Sequence, residues 1–166
     1  MSSNPDLDNF VGLSAVLTGF DPADLNPPLS PQPVAVEYLQ MLQSKVDASL
    51  VTQLLNTYQT IAQLPPAEQP GQVQAQILTD PKMGPVARNC LRMWYLSIWY
   101  DGYESDQVSG FSPGTVVSSN AYTKGLAWDA MQAHPMGYSE MHYGYWADPP
   151  EPDASTGGGS QEGSAA

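Results

Sequence analysis

Apolar residues recur at helical spacing along most of the chain, and proline, glycine or aspartate interrupts them. Leu7, Phe10, Val11, Ser14 and Leu17 share one face of a stretch that follows Asp6 and precedes Gly19, which reads as a helix stop. Residues 20–33 are rich in proline and aspartate and read as a connector. Pro31 and Pro33 fall where a first helical turn tolerates proline, because the missing N–H would lack a partner there anyway. Ala35, Tyr38, Leu39, Leu42 and Val46 then mark one helix face. Asp47 is placed to cap a further helix whose inner face is Leu50, Val51, Leu54, Leu55, Tyr58 and Ile61, and Pro65 and Pro66 end it. A shorter helix over 71–79 is broken by Asp80-Pro81.

The strongest segment covers 85–100. Val86, Ala87, Cys90, Leu91, Met93, Trp94, Tyr95, Leu96, Ile98 and Trp99 cover nearly its whole circumference, which predicts a buried helix. It falls short of the ~20 residues that span a bilayer. Residues 101–119, rich in glycine, serine and aspartate, read as a loop. Asn120 is expected to cap a last helix reaching His134, with Tyr122, Leu126, Ala127, Ala130 and Met131 inward and Pro135 at its end. Residues 136–150 are aromatic but irregular, and 151–166 are glycine, serine, alanine and acidic residues, a composition that predicts disorder. The pattern thus predicts an all-α fold: an irregular bundle of about five to six helices over 1–150, with an extended aromatic segment at 136–150 and a disordered tail at 151–166.

Composition narrows the function. A chain of 166 residues fits one domain, and 42% hydrophobic residues suffice for a core. Seventeen acidic residues against five basic ones give a net charge of −12, which repels phosphate backbones and anionic lipid. Nucleic acid and direct membrane insertion are therefore not expected. One cysteine, Cys90, excludes a disulfide within the chain. The N-terminal residues lack the charged and apolar regions of a signal peptide.

Candidate chemistry is sparse. Gly110-Phe111-Ser112-Pro113-Gly114 fits the hydrolase pattern G-x-S-x-G, but its oxyanion hole needs the N–H of the residue after serine, here Pro113. His134 and His142 with Glu140 lack the helical spacing of a zinc protease, since Pro135 and Gly137 intervene. Cys90 lies in the most apolar segment; Arg88 and Arg92 are two positions away, off its face, so an inert buried thiol is expected. Glu104 and Asp106 read as solvated, and no glycine-rich nucleotide loop follows a strand. No catalytic, cofactor-binding or metal-binding residue is assigned, and the expectation is a chain that is not itself an enzyme.

The order of short motifs carries a resemblance. Phe10, Leu13, Ser14, Leu17, Thr18 and Gly19 form Phe-x-x-Leu-Ser-x-x-Leu-Thr-Gly; Asp80-Pro81 and Trp94-Tyr95 follow; then come Ala121-Tyr122, Leu126-Ala127-Trp128, His134-Pro135, Gly144-Tyr145-Trp146 and Pro149-Pro150. Over roughly residues 8–150 the chain resembles the small (gamma-type) subunit of membrane-associated, FAD-containing sorbitol, fructose and glucose dehydrogenases. The resemblance implies a helical, non-catalytic subunit that binds, stabilises and helps fold or export a large catalytic subunit of the glucose-methanol-choline type. The FAD and the catalytic histidines belong to that partner, and electrons often pass on to a haem subunit. It further implies a periplasmic location. The chain departs from the pattern in lacking a twin-arginine segment, which leaves a cytoplasmic location as the alternative, and in the long loop at 101–119. The aromatic stretch reads equally as folding back on the chain's own helices or as covering a partner; on position, Tyr138, Met141, Tyr143, Tyr145 and Trp146 are expected at the partner interface, because aromatics and methionine favour interface cores. Trp94, Trp99 and Trp128 are expected in the core. Two other readings stand beside this one: a stand-alone helical carbohydrate-binding module with an aromatic sugar platform, and a small hydrolase or metalloenzyme built on Ser112 or the histidines.

Overall fold

The computed structural model describes residues 4–102 and 113–137. The chain divides into two units, Met1–Pro135 and Met136–Ala166. The first is the helical body described below; of the second, only Met136 and Gly137 are described, and both are exposed.

Helix α1 spans Pro5–Thr18. The Asn4 side chain accepts from the N–H groups of Asp6 and Leu7 at 3.2 and 3.4 Å, which satisfies donors the first turn would leave open. Asp6 and Asp8 lie at the positive end of the helix dipole. Gly19 stops the helix in the left-handed region at φ 80°, donating to the Ala15 carbonyl at 2.8 Å. The expected inner face holds at Phe10, Val11 and Ser14, with Leu13 added.

The connector is not wholly irregular. Asp21 caps a four-residue helix α2, Pro22–Leu25, whose Leu25 is buried. Pro22 supplies a preset φ at the first position, so a single turn forms where overall composition suggested none. Helix α3 (Val34–Lys45) buries Val34, Ala35, Tyr38, Leu39 and Leu42. Helix α4 (Ala48–Ile61) starts at Asp47, whose carboxylate accepts the Ser49 N–H at 2.9 Å. Gly12 lets α1 and α4 approach closely: a Cβ there would lie 2.6 Å from the Tyr58 hydroxyl. Helix α5 (Gln69–Val73) runs on into a π-helical turn, Gln74–Leu78.

Helix α6 spans Met83–Leu96 and is buried from Met83 to Ala87 and again at Asn89, Cys90, Met93 and Trp94. Its first turn is held by Asp80, whose carboxylate accepts the N–H groups of Lys82 and Met83, each at 2.8 Å. The helix stops four residues before the expected Tyr100. Ser97 turns left-handed at φ 58°, and Ile98–Tyr100 becomes strand β1, paired antiparallel with β2 (Gly114–Val116). Two features favour the strand. Ile, Trp and Tyr suit a pleated, half-buried surface. The buried Asn89 amide also forms a two-way pair with the Tyr100 backbone, donating to its carbonyl at 3.0 Å and accepting its N–H at 3.3 Å. The loop expected over 101–119 accordingly yields β2 and the start of α7.

The last expected helix is two short ones. Ser118, rather than Asn120, caps α7 (Ser119–Thr123), accepting the Ala121 N–H at 2.9 Å. Helix α8 is Leu126–Ala130. The break falls at Gly125, where a Cβ would lie 3.0 Å from the Tyr95 carbonyl and 3.1 Å from the Ser97 hydroxyl. The close approach to the end of α6 fixes a bend that helical periodicity does not encode. Past it, Ala130 and Met131 are exposed instead of inward, and Gln132 turns left-handed at φ 52°. The fold is all-α in the expected sense, an irregular helical bundle carrying one small two-stranded ladder.

Candidate functional site

The core is organised around Trp94. Phe10 stacks beside its ring, with centroids 6.2 Å apart, and Tyr38 meets it edge-on at 4.7 Å. The indole N–H donates to the Ser14 hydroxyl at 2.8 Å, and that hydroxyl donates to the Phe10 carbonyl at 2.7 Å. Alongside, Ser97 donates to the Ala121 carbonyl at 2.7 Å, so the Tyr38 hydroxyl at 3.2 Å is the donor to Ser97. Burial pushes the Tyr38 phenol up to about 12, which keeps it protonated as a donor. Trp99 is also buried, as expected. Trp128 is only half-buried, a correction: its N–H bonds the Tyr122 carbonyl at 2.7 Å and its ring meets Tyr122 edge-on, an arrangement local to α7 and α8. With Trp94 and Trp99 enclosed, neither offers a free face for a sugar ring.

Above Trp94 lies a cleft of about 720 Å³. Residues after α1 and in α2 form one wall (Phe20, Asp24, Leu25, Pro27), and α7–α8 with the turn between them form the other (Thr123, Lys124, Leu126, Asp129). The volume suits an organic ligand or an inserted side-chain cluster. Asp24 and Asp129 are exposed, and neither takes part in an ion pair or side-chain hydrogen bond among the described residues. The Lys124 ammonium turns to the Gln32 carbonyl at 3.5 Å. Leu29, next to the cleft-lining Ser30, is 94% exposed, and Met131 beyond Asp129 is 61% exposed. An apolar floor, unpaired carboxylates and exposed apolar neighbours make this the candidate site. Sequence reading missed it because it joins a connector to a helix end about a hundred residues later, and neither carries a motif.

A second polar cluster is structural. The Glu37 carboxylate accepts from the Ser118 hydroxyl and from the Asn120 amide, the latter at 2.6 Å, and Asn120 also reaches the Gln32 carbonyl at 3.3 Å. These bonds fasten the start of α7 to α3. The Lys45–Asp101 ion pair at 3.2 Å plays the same part for the strand ladder.

The expected sites fall as follows. Cys90 is buried and burial pushes its thiol up to about 12, so it stays protonated. His134 is exposed, with Nδ1 3.2 Å from the Pro135 carbonyl. Pro113 and Gly114 belong to the ladder region, where the Asp101 N–H donates to the Pro113 carbonyl at 2.9 Å. Ser112, Glu104, Asp106, Glu140 and His142 lie outside the described residues, as do Tyr138, Met141, Tyr143, Tyr145 and Trp146. Among the described residues there is no cluster of three or more potential metal ligands, and no helix long and apolar enough to cross a membrane. No known family model, curated protein or solved structure matches the chain.

Proposed function

We propose that this chain is a non-catalytic accessory subunit that binds, stabilises and helps fold or export the FAD-containing large subunit of a sugar, polyol or glycoside dehydrogenase of the glucose-methanol-choline type. The observation that carries the reading is where the resembling motifs lie. Phe10, Leu13 and Ser14 of the first motif pack with Trp94 of the second and Ala121 and Leu126 of the third in one buried core. Short motifs far apart in the chain thus meet in one core, which supports reading them together. The flavin is assigned to the partner. In this chain the cleft over Trp94 presents Asp24 and Asp129, and carboxylates repel the pyrophosphate of FAD.

The work of such a subunit needs no chemistry of its own. A protein that binds only the folded partner stabilises it by mass action, about 2.7 kcal/mol at a free concentration of ~100 Kd. Tyr138, Met141, Tyr143, Tyr145 and Trp146 are proposed as part of the contact surface. The test is to express a glucose-methanol-choline-type large-subunit gene from the same genome with and without this chain and to measure soluble, flavin-loaded, dye-reducing enzyme. Loss of flavin loading without this chain is the expected result. A large subunit equally soluble and active alone, which never co-purifies with this chain, would sink the reading. Trp146→Ala should weaken the complex and leave the fold of the isolated chain unchanged.

A further inference from the structure

The Trp94 cleft is apolar at its floor, and its rim carries Asp24, Asp129 and Lys124, with the lysine turned to the Gln32 carbonyl at 3.5 Å, so one negative charge is left over. The basic side chains are Lys45, Lys82, Arg88, Arg92 and Lys124. Lys45 is paired with Asp101, and Arg88 donates to the Leu78 carbonyl at 3.0 Å. Residues 125–166 contain no lysine or arginine to set against Asp24 and Asp129. A second copy is a poor occupant as well, since two chains of net charge −12 repel each other. An occupant that satisfies the cleft brings its own positive charge.

We propose that the cleft is the docking groove for a segment of the large catalytic partner that inserts a bulky apolar side chain toward Leu25, Val34 and Leu126 and sets a lysine or arginine against Asp24 and Asp129. The proposal rests on the accessory-subunit reading and adds to it a place and a chemistry. The apolar anchor supplies the buried contact, and the carboxylates supply orientation and a salt-sensitive on-rate. Leu29 and Met131, close in sequence to the cleft-lining Ser30 and Asp129, are exposed apolar side chains.

The test uses the full chain and that same large subunit, with affinity measured by calorimetry at low and high salt. Asp24→Lys with Asp129→Lys should weaken the complex by about tenfold or more and flatten or reverse its salt dependence. Asp24→Asn with Asp129→Asn removes the charge without added bulk and should show the same trend, which covers the case in which the lysine pair misfolds. Hydrogen exchange should show new protection over residues 23–30 and 123–130 in the complex. A complex equally tight in both variants, with no protection there, overturns the groove while the accessory-subunit reading stands. Failure of the unaltered chains to associate at all overturns both. Self-association of this chain that disappears in the Asp24→Lys/Asp129→Lys variant overturns the proposal in favour of a second copy in the groove.

Discussion

The hydrogen bond between Trp94 and Ser14 joins residues 80 positions apart in the core, so its contribution can be isolated by a double-mutant cycle. Ser14→Ala leaves the indole N–H buried with no acceptor, at a cost of about 1–3 kcal/mol. Trp94→Phe removes the donor and also shrinks the ring by ~40 Å³, a void worth about 1 kcal/mol at ~24 cal/mol per Å³, with a similar loss of transfer energy. In the Trp94→Phe background, Ser14 keeps its bond to the Phe10 carbonyl, so removing its hydroxyl orphans no donor. Ser14→Ala should there cost close to nothing, which puts the coupling energy at about 1–3 kcal/mol. Urea unfolding of the four proteins, followed by far-UV circular dichroism, gives the cycle directly. Should Ser14→Ala cost the same in both backgrounds, to within ~0.3 kcal/mol, the bond is not what holds α1 to α6 and the account of the core is wrong.

Gly12→Ala should destabilise by about 1–3 kcal/mol, because the added methyl meets the Tyr58 hydroxyl at 2.6 Å and Cε1 at 2.7 Å; Gly71→Ala, with open space around it, should be neutral or stabilising in the same denaturation assay. Hydrogen bonds from the Ser49 side chain and backbone lower the Asp47 carboxyl, and those from the Met83 and Lys82 N–H groups lower Asp80. A lowered folded pKa means stability that is fully present above the unfolded value of 3.8 and is lost as the pH falls through the folded pKa. Thermal melts between neutral and acid pH should therefore fall more steeply for the unaltered chain than for Asp47→Asn with Asp80→Asn, in which the caps persist but do not titrate. Cys90 should resist a thiol reagent in the folded protein and react fully in urea; rapid reaction without denaturant would contradict its burial.

Much of the helical body was legible because local and global signals agree in it. Asp47, Gly19 and the face from Val51 to Ile61 each announce a boundary or a buried stripe, and the fold uses them that way. The two misplaced helix ends share one cause. Ser97, Gly125 and the Asn89–Tyr100 pair are settled by what lies across the fold from them, so the periodicity that carried a helix through Tyr100 and another through His134 had no means of seeing the bends. The candidate cleft was hidden for the same reason: Asp24 and Asp129 acquire meaning only once α2 and α8 face each other over Trp94.

The bonds that close the body connect its two ends: Ser14 to Trp94 over 80 residues, Glu37 to Ser118 over 81, and Gln32 to Asn120 over 88. Sequence-distant pairings of this kind raise contact order and slow folding, because loop entropy is lost before any contact is gained. On the ribosome, Phe10 and Tyr38 have emerged long before Trp94 is synthesised, and until then the apolar faces of α1 and α3 lack their central partner. The body therefore cannot close until α6 and α7 have emerged, and a nascent chain halted before α6 should aggregate more readily than one released after α7.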